Sequence, residues 1–178
     1  MERISFNKLL LKTAFSCMAC DGEIDPKEVK LIESLHEEKK LFGDIDLFAE
    51  VNKHRKAINA SSGIFLKGYF NELASNELSQ AEELKIIEVA IDTIKADKKI
   101  KYSEIKFFKV IRSKLRIDNE PILAVHPDFE EYLEQDIISE TYLARLQDDF
   151  FDSQTLPEFK FINAIDGDIL NNLPENKD

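Results

Sequence analysis

Shifted by 76 positions, the early part of this chain lies on its later part without a gap: Leu10 falls on Ile86, Leu11 on Ile87 and Ala14 on Ala90. Those residues share one face of a 3.6-residue helix. Beyond them Asp21 meets Asp97, Ile24 meets Ile100 and Glu28 meets Glu104, and a second apolar stripe begins where Val29 meets Ile105 and Ile32 meets Phe108. The shared skeleton is an apolar helix, then Asp-x-x-Ile-x-x-x-Glu, then another apolar helix. A helical hairpin with one greasy side cannot bury it alone, so the two copies are expected to pack together with the intervening segments. The fold this predicts is all-α: a bundle of two pseudo-repeated helix-loop-helix units with helices between them.

Local signals place the helices. Phe6, Leu9, Leu10, Thr13, Ala14 and Cys17 predict a first helix over about residues 4–20, broken by Asp21-Gly22-Glu23-Ile24. Asp25 then reads as an N-cap, Pro26 as the first helical residue and Glu28 as a capping-box acid, with Val29, Ile32 and Leu35 as the buried stripe. Phe48 and Val51 mark a third helix over about 44–58, and the bulky run Ile64–Leu73 a fourth. Ser79-Gln80-Ala81-Glu82 is a capping box opening a fifth over about 80–96, and a sixth runs from about Ser103 to Leu115.

Charge divides the chain. Its 178 residues carry a net −11, but residues 1–117 hold +2 and residues 118–178 hold −13. Asp118-Asn119-Glu120-Pro121 marks the change, and the proline discourages helix continuation there. The expected organisation is a helical domain over 1–117 and an acidic, aromatic-containing, partly helical extension over 118–178, with a helix at about 128–148. From Lys95 to Arg116 nine basic residues face only Asp97 and Glu104, so this basic stretch and the acidic extension are expected to meet, within one chain or between chains. The acidic balance argues against a general nucleic-acid binder, which needs Lys and Arg to displace counterions. Thirteen Phe supply a core, and no apolar run approaches the length that spans a membrane. The first residues lack a signal peptide's apolar centre, and two cysteines make no secreted disulfide scaffold, so a cytoplasmic home is expected.

The candidate chemistry is sparse. Asp21, Glu23, Asp25 and Glu28 cluster at a helix-loop-helix junction, and hard cations take such oxygens. An EF-hand is excluded, because with Asp21 as loop position 1 the sixth position is Pro26 and the twelfth Ile32. The same acids also suit capping and the helix dipole, and both readings stand. Cys17-x-x-Cys20 closes a helix where a redox motif would open one, and reads as a pair of small buried residues. His36 and His54 sit among charges and read as solvated, and no triad, P-loop or G-x-G-x-x-G is present. The chain is therefore read as non-enzymatic. In the extension Phe129, Tyr132, Tyr142, Phe150 and Phe151 stand among acids. They suit docking on the chain's own bundle, docking on a basic apolar groove of a partner, or mimicry of a nucleic-acid backbone.

The stretch Leu9–Leu35 resembles the signature of the tellurite-resistance TerB-like domains, also found at the N-terminus of a membrane-anchored DnaJ-like protein. That pattern is an alanine-rich apolar helix, then A-x-D-G-x-[IV]-x-x-x-E, then an apolar helix. Here it is carried by Ala19, Asp21, Gly22, Ile24, Asp25 and Glu28, while the second copy keeps Asp97 and Glu104 but loses the glycine and has Lys101 in place of the extra carboxylate. The resemblance covers about residues 4–117. It implies an all-α accessory module to a larger protein, associated with tellurite or other stress resistance and with metal- and phage-related contexts; a homo-oligomer is a further partner expectation. It also implies a divalent cation as the one candidate cofactor, held by Asp21, Asp25, Glu28, Asp97 and Glu104.

Overall fold

The computed structural model describes residues 4–20, 26–96, 100 and 102–133. Among them the regular structure is helical throughout: α1 (Phe6–Ala19), α2 (Pro26–Glu37), α3 (Leu47–Ala60), α4 (Ser62–Ser75), α5 (Gln80–Ile94), α6 (Tyr102–Ser113), α7 (Asn119–Val125), a 3-10 turn (Pro127–Phe129) and α8 (Glu130–Leu133). All six helices expected from the sequence form, each within a few residues of its expected ends. No described helix is long and apolar enough to cross a membrane.

The first helix is the hub. Every residue of α1 from Leu9 to Ala19 is buried, because α1 packs on α5 most extensively and also touches α2, α3, α4 and α6. The contacts between hairpins are reciprocal: α1 meets α6, and α2 meets α5. Two copies of one unit packed face to face produce that pattern. Corresponding positions are buried together, including Leu10 with Ile86, Ala14 with Ala90, Cys17 with Thr93 and Ile32 with Phe108.

Caps set the helix ends. Asp46 accepts from Ala49 N at 2.9 Å to start α3, and Ser79 with Glu82 completes the expected capping box of α5. Partly buried ion pairs at the edge of the bundle tie α1 to the intervening pair: Lys8 Nζ reaches Glu50 on α3 at 2.6 Å and Lys12 Nζ reaches Glu72 on α4 at 2.7 Å.

One sequence expectation changes, and two further features stand out. His54 is buried, not solvated: with Val51 and Ile58 it forms the inner stripe of α3, and the adjoining charges project from the other sides of the helix. Phe48, grouped with Val51 in the sequence, is 61% exposed, and Ile64, at the head of the apolar run, is 76% exposed. A helix also forms at Asn119–Val125 despite Pro121. The proline falls in the first turn, where the amide has no acceptor within the helix to lose.

Residues 118–133 pack on the bundle. Ile117, Ile122, Phe129 and Leu133 are buried, α7 lies on α5, and α8 lies on α6. The Phe129 ring meets Phe108 edge-on at 5.1 Å, and Lys95 pairs with Asp128. Basic and acidic segments thus meet within one chain at this point. Glu83 on α5 fixes the start of the connection by accepting from Arg116 N at 2.8 Å.

Candidate functional site

Two places on the described bundle collect chemistry, and each follows from local helix geometry. The first is the meeting of the repeated acids. Glu28 is the third residue of α2 and Glu104 the third of α6, the position from which a glutamate serves the unsatisfied amides of a helix start. Both are buried, and both are engaged by partners. They come from opposite hairpins, yet both act on one thiol. Burial first, then Glu28, then Glu104, raise Cys17 well above the usual thiol range. Both expected carboxylates are thus buried and near enough to α1 for their charge to act on Cys17.

Their surroundings are apolar and hydrogen-bonded. Cys17 also acts on Tyr69, whose hydroxyl is raised chiefly by burial. Thr93, at the place of Cys17 in the second copy, donates to Val89 O at 2.8 Å, so that position accepts a small buried side chain with or without sulfur. Cys20 is buried as well. A thiol held protonated is a poor nucleophile and a poor metal ligand. Asp21, Asp25 and Asp97 lie outside the described residues. Among those described, no group of three or more His, Cys, Asp or Glu side chains could hold a metal ion.

The second place is the outer face of α3. Phe48, Ala49, Asn52, Lys53, Arg55 and Lys56 line an open groove of about 680 Å³. Their spacing puts them on one broad helical stripe, opposite the buried Val51, His54 and Ile58. Glu50 is turned away to Lys8, whose hydrogen bond holds its carboxyl below the usual range, and reaches Lys53 only at 3.7 Å. The face is therefore cationic on a chain of net charge −11, with a large exposed aromatic at its N-terminal end. It can take an acidic ligand that brings an apolar anchor. The charges of this face were legible in the sequence, since Lys53, Arg55 and Lys56 follow Phe48 at helical spacing, but Phe48 and Val51 served there only to mark the helix.

Of the five aromatics proposed for partner contact, Phe129 is fully buried on its own chain, and Tyr132 is half-buried with its ring 4.8 Å from that of Phe129. Phe129 is thus a core residue and presents no surface to a partner. Tyr142, Phe150 and Phe151 lie outside the described residues. A scan against protein-family models, a search of curated proteins and a search of solved structures each return no match for this chain.

Proposed function

We propose that this chain is a non-enzymatic, cytoplasmic adaptor or accessory protein of TerB-like type, working in a stress-resistance or phage-defence system through contact with a larger protein. The family part of this reading rests on the sequence likeness of Leu9–Leu35. The mode of action rests on one observation: Phe48 stands 61% exposed in a groove flanked by Lys53, Arg55 and Lys56. Aromatic and arginine side chains carry much of the binding energy of protein contacts. Proximity labelling in the native host tests it. A Phe48→Ser variant of normal abundance is expected to lose a defined neighbour that the wild type labels. An unchanged neighbour set would refute contact through this face.

A second reading is divalent-metal binding at the acidic junctions, tied to tellurite or metal stress, and it is supported by the burial of both repeated glutamates, Glu28 and Glu104, whose charges both act on Cys17. The two glutamates would supply hard oxygens, and Asp21, Asp25 and Asp97 the remainder. Calorimetry with Ca²⁺, Mg²⁺, Mn²⁺ and Zn²⁺ on the wild type and on Asp21→Asn decides it. Binding heat lost in the variant supports the reading, and no heat at millimolar ion ends it.

A further inference from the structure

The basic residues of this chain differ in what already holds them. Around α6, Lys95 is paired with Asp128, and Lys106, Lys109 and Lys114 are engaged. On the outer face of α3, Lys56 makes no ion pair with an acid among the described residues, and Lys53, its side chain 71% exposed, holds Glu50 only at 3.7 Å. Residues 134–178 carry 11 acids against Arg145, Lys160 and Lys177. Their most concentrated stretch is Asp148-Asp149-Phe150-Phe151-Asp152, three carboxylates around two aromatic rings. The α3 face offers the complement in both respects: cations for the carboxylates and the exposed ring of Phe48 for an aromatic.

We propose that Asp148–Asp152 docks on the outer face of α3 of the same chain, with a phenylalanine of the pair against Phe48 and the aspartates against Lys53 and Lys56. Length allows it. Asp148 lies fifteen positions beyond Leu133, a span of up to about 50 Å when extended. A folded unit of roughly 130 residues has a radius of gyration of about 14 Å, so any point on its surface is within reach. Tethering favours this source over a second copy, because it supplies the segment at an effective concentration of order millimolar, far above that of a dilute protein. Even a weak contact is then substantially occupied. The segment covers the face that the adaptor reading assigns to a partner, yet the contact rests only on the chemistry of that face and stands or falls separately from the adaptor reading.

Hydrogen exchange read by mass spectrometry on the full chain, at two protein concentrations, tests the contact. The substituted lysines are exposed, so Lys53→Glu with Lys56→Glu is expected to fold normally, and Phe48→Ser provides a second, uncharged disruption. In either variant the amides of residues 148–152 are expected to exchange several-fold faster than in the wild type. Adding Asp148→Lys, Asp149→Lys and Asp152→Lys to the double lysine variant is expected to restore protection, and raised salt to weaken it in the wild type. Equal exchange in wild type and variants would overturn the proposal. So would protection that grows with protein concentration, which would assign the face to a second copy. Loss of a labelled neighbour in the proximity experiment bears on the adaptor reading alone.

Discussion

The Tyr69 hydroxyl donates a 3.0 Å hydrogen bond to Thr13 Oγ1, and Thr13 donates in turn to Leu9 O at 2.9 Å. This chain of two bonds joins α4 to the hub helix where both side chains have no exposure. The two ends respond differently to deletion. Tyr69→Phe leaves Thr13 still bonded and is expected to cost about 1 kcal/mol, whereas Thr13→Val strands a buried hydroxyl and is expected to cost about 2–3 kcal/mol. Urea unfolding of both variants checks the order; a larger loss for Tyr69→Phe would contradict it.

Gly43 sits at φ +64°, and a Cβ there would collide with Nδ2 of Asn7. Gly43→Ala therefore meets a left-handed backbone, expected to cost about 1–2 kcal/mol, and a contact that the flexible Asn7 amide can relieve at small further cost. Asn7→Ala in the same molecule removes the clash but not the backbone strain. Thermal melts should show the double variant recovering only part of the loss.

The Lys12–Glu72 pair is lopsided: the lysine side chain is 11% exposed and the glutamate side chain 38%. Lys12 also lies 5.1 Å from the centre of the Phe65 ring. Glu72→Gln leaves a nearly buried ammonium without its counter-charge and is expected to cost about 2 kcal/mol. Lys12→Met leaves a carboxylate that water can reach and an apolar chain that still packs, and is expected to cost under about 1 kcal/mol. Equal losses in denaturant titrations would show that the pair's burial is not what matters.

His54 lies between the rings of Phe15 and Phe65, 5.5 and 5.7 Å away, and its Nε2 finds no hydrogen-bond partner. Burial first and Lys12 second lower its pKa from 6.5 to about 4, against a weaker upward pull from Glu50. The unfolded chain therefore binds this proton more readily than the folded one. The stabilising contribution is complete above pH 6.5 and is lost as pH falls toward 4, a change of about 3 kcal/mol. His54→Leu should flatten that part of the stability profile. A profile between pH 7 and 4 that is the same in both proteins would refute the assignment.

If residues 118–133 belong to the bundle's core, then truncating Phe129 must weaken the whole. Phe129→Ala is expected to cost about 3–5 kcal/mol and to lower a single cooperative transition. A bundle that melts unchanged after this substitution would show that the extension folds apart from it.

Helix starts were readable because their signals are local. Pro26 opens α2, and Ser79 and Glu82 act within one turn, so their roles follow from spacing. Exposure on α3 was not readable in the same way. Phe48 lies at the edge of the side that carries Val51 and His54, and only the positions of α1 and α4 decide that Val51 and His54 go under while Phe48 stays out. Phe129 is similar: the sequence showed an aromatic among acids, and the Phe108 ring that receives it is 21 positions away.

The amino-acid order by itself determined the helices, their caps, the doubled hairpin and the two-part charge, because each depends on neighbours a few residues apart or on a repeat visible in register. The tertiary structure alone decided that Glu28 and Glu104 act on the same Cys17, that His54 is sealed between aromatic rings, and that a cationic groove surrounds Phe48. Those outcomes depend on which faces of separate helices meet, and that choice is made by the burial of the whole core.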